Sequence, residues 1–198
     1  MAYDKFTVLK SSAVPMPIEN VDTDQIIPAR FLKATERKGF GDNLFRDWRY
    51  NSDNTPKKDF VLNNPIYSGE ILVGGKNFGS GSSREHAAWA IYDYGFRCVV
   101  SSFFADIFKN NSLNIGILPV QVSPAFLDKI FRAIESDPKT ELEVNLPDQT
   151  ITILATGESE KFEINSYKKH NLMNGYDDID YLQAMKEDIR VYAEKSIY

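Results

Sequence analysis

The sequence predicts one α/β domain with a mixed, partly parallel sheet flanked by helices. Three observations carry that prediction. Between residues 71 and 122, short runs rich in Ile, Val and Leu alternate with segments of helical length. Parallel neighbours need such crossovers, so the alternation reads as βαβ units. Glycines, Gly95 and Gly116, stop the two intervening helical segments. The chain has 198 residues, 42% hydrophobic and 26% charged. That composition builds one good-sized core and is unlike that of a disordered chain.

The elements follow in order. FTVLK, residues 6–10, reads as a short strand. ENVDTDQIIPARFLK is rich in turn formers, and Asp22 and Asp24 suit an Asx-type turn. Residues 49–59 are polar, contain a proline and read as an exposed loop beside the apolar Phe45 and Trp48. The whole arm over residues 30–60 is expected to be mobile until something covers it. ILVGG at 71–75 is a strand that ends in glycines. Residues 82–94 read as a helix, 98–102 as a strand, 103–116 as a helix and 117–122 as a strand. Pro124 opens a further helix, with apolar residues at 126, 127, 130, 131 and 134. ELEVNLPDQTITIL alternates on both sides of Pro147-Asp148, the pattern of a hairpin. A tail helix is expected at about 178–195, with Ile179, Leu182, Met185, Ile189 and Tyr192 on one stripe.

Bulk properties narrow the function. A net charge of -5 argues against a nucleic-acid partner. No run approaches the ~18 apolar residues of a membrane span, and MAYDKFTVLK lacks a signal-peptide core. The single cysteine, Cys98, cannot form an internal disulfide, which suits a reducing cytoplasm. Nor can one thiol hold an iron–sulfur cluster, which takes several.

The stretch GSGSSREHAAWAI, from Gly79 to Ile91, carries the chemistry. Gly79 and Gly81 allow tight backbone turns close to a ligand. Ser82 and Glu85 have capping-box spacing, with Ser82 as the N-cap. A helix N-terminus presents free N–H groups and partial positive charge, and Arg84 adds a guanidinium that grips carboxylates with two bonds. Two readings therefore fit: a helix cap alone, or a site for a small anion. His86 reads as a packed histidine on an Ala-rich helix.

Several named motifs fail. No G-x-S-x-G surrounds Ser82. A phosphate-binding P-loop would need lysine after Gly79, where Ser80 stands. A dinucleotide fold would need an acidic residue after CVVSS, which is absent. A calcium loop starting at Asn20 would need Gly and Glu where Gln25 and Phe31 stand.

Three stretches in order, NVDTDQIIPARFLK, NFGSGSSREHAAWAI and SFFADIFKNNSLNIGILPV, together resemble the small-subunit family of 3-isopropylmalate dehydratase (isopropylmalate isomerase), in the aconitase superfamily. GFGDNLFRDWRY, FVLN and HNLMNG add to the likeness, which covers nearly the whole chain. The resemblance implies one swivelling β/β/α domain over residues 1–198, as in the aconitase C-terminal domain. It implies a hydro-lyase of leucine biosynthesis, converting 2-isopropylmalate to 3-isopropylmalate through isopropylmaleate. It also implies a large-subunit partner that carries a [4Fe–4S] cluster, with no metal on this chain. By the family pattern Ser82 is the catalytic base. Ser83 and Arg84 bind the substrate carboxylate, Thr23 and Asp24 belong to the substrate turn, and Phe31 and Leu32 face the isopropyl group. Lys33 complicates this because it could reach an anion instead. Asp106 and Phe108 stand where aconitases carry Arg and His, which favours the isopropylmalate branch. Asn111, Gly116 and Pro119 read as structural. The alternatives are a related hydratase of homoaconitate or citramalate type, or a stand-alone anion-binding module.

Overall fold

A computed structural model describes residues 3–32, 39–82 and 84–195. Its centre is a seven-stranded sheet of order β4-β3-β2-β1-β5-β6-β7. β1 (Val8–Met16), β2 (Ile71–Gly74), β3 (Cys98–Ser101) and β4 (Leu118–Gln121) are parallel neighbours. β5 (Glu141–Asn145), β6 (Thr150–Ile153) and β7 (Ser159–Lys161) continue antiparallel from β1. This is the mixed sheet the sequence predicts.

β1 is longer than the expected 6–10 strand, and Pro15 lies inside it. The register explains both. β1 pairs with β5 over Val8–Ser12 and with β2 over Ala13–Met16. Met16 turns its carbonyl toward β2, where Gly75 N–H donates at 3.0 Å. Pro15 therefore faces the side β5 has already left, and its missing N–H strands no partner. The β4 edge uses the same device. Leu118 and Val122 donate inward to Arg97 and Ser101 carbonyls at 2.9 and 3.0 Å, so Pro119 points its donor-free nitrogen outward.

Alternating strand residues build two cores. Ala13, Ile71, Val73, Cys98 and Val100 face α5 (Pro124–Ser136), which lays Phe126, Leu127, Ile130 and Ile134 on the sheet. Val14, Leu72 and Val99 face α3 (Glu85–Tyr94) with its buried Ala87, Ala88, Ala90 and Ile91. α4 (Asp106–Asn114) joins β3 to β4 and gives Phe108 to one core and Leu113 to the other. Ser123 caps α5, accepting from Phe126 N–H at 3.2 Å ahead of Pro124 at N1.

Other boundaries shift. α4 is shorter than the expected 103–116 span. The tail is two helices, α7 (Asp178–Ala184) and α8 (Lys186–Lys195), broken at Met185, where one helix over 178–195 was expected. α6 (Ser166–Asn174) was not foreseen, although Asn165 caps it and Gly175 ends it at φ +69. Of the 30–60 arm, residues 33–38 lie outside the described residues. α2 (Arg46–Arg49) falls in the remainder. Arg49 is buried there, donating to the carbonyls of Gly41 and Leu44 and to Asn63 Oδ1, with its guanidinium over Tyr94. Asp93 of α3 accepts N–H bonds from Gly39 and Gly41 at 3.0 and 2.8 Å. Among the described residues, no helix is long and apolar enough to cross a membrane.

Cys98 is fully buried, and burial pushes its thiol far above the ordinary range. The folded chain is expected to resist thiol reagents that label it at once in denaturant. Because the folded value is the raised one, this contribution to stability is complete below the free thiol's ~8.5 and is lost as pH rises above it. Wild type should therefore lose melting temperature relative to Cys98→Val with increasing alkalinity. Rapid labelling of the native chain would contradict the burial.

Candidate active site

The parallel strands deliver three loops to one edge of the sheet, the position where open α/β sheets bind ligands. The loops leave β1 after Met16, β2 after Gly74 and β3 after Ser101. Backbone bonds zip them together. Gly79 and Ser80 N–H both donate to Val21 O, at 2.8 and 3.1 Å, and Thr23 N–H donates to Ser80 O at 2.9 Å. Phe78 N–H donates to Phe103 O at 3.1 Å, and Ala105 N–H returns to Phe78 O at 3.2 Å. Buried Ser101 locks the base, its hydroxyl oxygen lying 2.7 Å from Gly75 O and 2.9 Å from Phe103 O. Stretches far apart in the chain thus become one surface.

The DTD turn is fixed by a reciprocal pair of bonds. Asp22 Oδ1 accepts Gln25 N–H at 2.8 Å, and Gln25 Oε1 accepts Asp22 N–H at 2.9 Å. This reciprocal capping box starts α1 (Thr23–Ile26). Its D-x-x-Q signal stands in the sequence, from which only an Asx turn was expected.

The capping box expected at Ser82 and Glu85 is not formed. α3 begins at Glu85, with Arg84 as N-cap in extended conformation and no side-chain cap bond. The reason is tertiary. Thr23 Oγ1, 59 positions away, donates to Ser82 O at 3.0 Å and fixes Ser82 outside the helix. Ser82 is exposed. Its hydroxyl makes no hydrogen bond to any described residue.

Gly79 needs to be glycine on two counts. Its φ is +79, and a Cβ there would lie 2.1 Å from Phe108 Cγ. Phe108 packs against Phe78 with ring centroids 5.4 Å apart, so α4 props the serine loop from beneath.

Arg84 is mostly covered and pairs through NH1 with Asp24 Oδ1. Two candidate residues from different loops are therefore bonded directly. The pairing also answers the charge Arg84 places near a positive helix end. Thr23 is buried and spends its hydroxyl on Ser82. Phe31 and Leu32 pack, half-buried, against the α3-side core, and Arg30 lies 4.7 Å over the Phe31 ring. No bond joins them to Ser82 among the described residues. Ser83 and Lys33 lie outside those residues. His86 packs between Phe40 and Trp89, with centroids at 5.5 and 4.4 Å. Asp106 opens α4, where a carboxylate suits the helix dipole. Among the described residues, no three His, Cys, Asp or Glu side chains are placed to hold a metal ion. With Cys98 buried as well, the residues of this chain do not fit an iron–sulfur cluster.

One edge of parallel strands thus presents a serine loop, a DTD turn and an α4 prop, and the stretch that builds them is that of an aconitase-type C-terminal domain. Residues 3–125 match the aconitase C-terminal domain family, and residues 128–166 match LeuD_N. The chain is 65% identical over 195 residues to the 3-isopropylmalate dehydratase small subunit of Cytophaga hutchinsonii, covering 98% of this chain and 97% of that one. It is 60% identical over 192 residues to the protein of the same name from Christiangramia forsetii, covering 97% and 94%. The crystal structure of 3-isopropylmalate dehydratase (leuD) from Methanocaldococcus jannaschii superposes with a TM-score of 0.67 at 25% identity, over 96% of this chain and 99% of that one. The chain belongs to the family of 3-isopropylmalate dehydratase small subunits.

Proposed function

We propose that this chain is the swivelling half of an isopropylmalate isomerase in the cytoplasm. It acts only with a large subunit that holds the [4Fe–4S] cluster, and it interconverts 2-isopropylmalate and 3-isopropylmalate. The observation that carries this reading is Ser82: an exposed hydroxyl with no bond to any described residue, held through its own carbonyl beside Arg84 and the start of α3.

The chemistry asked of this chain is removal of a proton from substrate carbon. Ser82 Oγ takes that proton. A serine alkoxide is costly in water, and the N–H groups opening α3 together with Arg84 lower the cost. Arg84 uses one nitrogen on Asp24, which leaves the rest of its fork for a substrate carboxylate. Asp24 repels a dianion, so its role is to aim Arg84; it is a positioning residue more than a ligand contact. Ser83, carried over from the family pattern, gives a second carboxylate contact. Phe31 and Leu32 face the isopropyl side. A cluster bound on the partner would supply Lewis-acid chemistry at the departing hydroxyl.

The test is reconstitution. Neither subunit alone should turn over 2-isopropylmalate, and the mixture should form isopropylmaleate and 3-isopropylmalate faster than it handles citramalate or homoaconitate. No activity from a mixture with intact cluster would refute the reading. Tight binding of a dicarboxylate at Ser82 without the partner would instead favour a stand-alone module.

A further inference from the structure

A polar cleft of about 500 Å3 opens beside α2. Arg30, Arg46 and Lys57 line it with a single carboxylate, Asp47. The excess of two positive charges stands out in a chain of net charge -5. Asp47 is already committed. Arg30 donates both terminal nitrogens to its two oxygens, NH1 at 3.0 Å. That bidentate pair, with smaller contributions from Lys57 and Arg46, holds the Asp47 carboxyl below its ordinary value, so it stays ionised. Arg46 and Lys57 hydrogen-bond to no carboxylate among the described residues and act on Asp47 only through space. Arg46 donates to Asn54 Oδ1 at 2.7 Å, and its guanidinium lies 3.9 Å over the Tyr50 ring. Lys57 donates to the Asp47 carbonyl at 3.0 Å.

The cleft is built in advance. Phe45 stands at φ +49, an unusual left-handed conformation for a bulky side chain, and that turn sets the direction in which Arg46 leaves. It is held by its N–H bond to Ile26 O at 2.8 Å and by stacking on Trp48 at 5.6 Å. The opposite wall is a closed turn: Tyr50 bridges Pro56, and Asn51 N–H donates to Thr55 O at 2.9 Å. Strained backbone that the surroundings fix in this way clusters at binding sites.

We propose that this cleft binds a small doubly charged oxyanion, a dicarboxylate or a phosphate, between Arg46 and Lys57. Arg46 offers a planar fork steadied by Tyr50, which suits two oxygens of one anion, and Lys57 supplies the second charge. Arg30 and Asp47 form the neutral floor. Arg30 also lies over the Phe31 ring, so the cleft borders the isopropyl side proposed above, but Ser82 is not among its lining residues.

The test is an amide-shift titration of the isotopically labelled full chain, in low salt, with malonate and separately with inorganic phosphate. Saturable shifts confined to residues near 46–57 are expected, and Arg46→Gln or Lys57→Gln should each weaken binding by about tenfold. Raised salt should weaken it further, and Ser82→Ala should leave the curves unchanged. Saturation by malonate alone identifies a dicarboxylate site, and by phosphate alone a phosphate site. Absence of saturation with both anions overturns the proposal, as do shifts that neither variant alters. Protection of the cleft by the large subunit without anion binding also overturns it, in favour of an acidic partner surface.

Discussion

Replacing Ser82 with alanine is expected to lower kcat of the reconstituted enzyme by about 10²–10⁴-fold, the usual contribution of a positioned proton acceptor. The melting temperature should not move. Ser82 does not cap α3, its hydroxyl bonds to no described residue, and the contact that fixes it is through its carbonyl, which alanine keeps. Loss of turnover without loss of stability would separate chemistry from structure at this position. KM should stay near the wild-type value, because Arg84 still holds the carboxylate. A variant with near-normal kcat would show that another group removes the proton.

Gly79→Ala should have the opposite profile. The new methyl group meets Phe108 Cγ at 2.1 Å, and the backbone stands at φ +79. Left-handed strain plus overpacking amounts to roughly 3 kcal/mol. In a domain of this size that lowers Tm by roughly 6–12 °C. Gly157→Ala is the internal control. It has φ +72, and a Cβ added there would meet nothing within 4 Å, so only the conformational penalty of about 1 kcal/mol remains. Adding Phe108→Leu should recover part of the loss at Gly79 and none at Gly157. Equal shifts in the two glycine variants would mean that Phe108 is not the wall it is taken to be.

The parallel half of the sheet was legible because its signals are local. Gly95 ends α3 at φ +117, and β3 and β4 lie on apolar runs that need no distant information. Pro124 marked the start of α5 for the same reason. The ends of β1 were not legible. Its second half holds Pro15, and that residue is tolerated only because of which neighbour lies on which side. The start of α3 was misplaced by three residues, since no local rule contains the Thr23 hydroxyl that keeps Ser82 out. The candidate site divides along the same line. Its residue types stood in the sequence, whereas the Arg84–Asp24 pair and the Phe108 prop exist only after folding. The capping box of Asp22 and Gln25 is a different case: its pattern is local and complete, and a turn alone was too modest an expectation for it.

Pro119 has a consequence beyond the sheet it borders. A foreign chain approaching the β4 rim meets a gap where a hydrogen-bond donor should be, so the cross-β ladder that seeds fibrils cannot propagate cleanly from that side. Crowded together at high concentration, these molecules are guarded on that flank against self-templating, and productive assembly is left to their loops and helices.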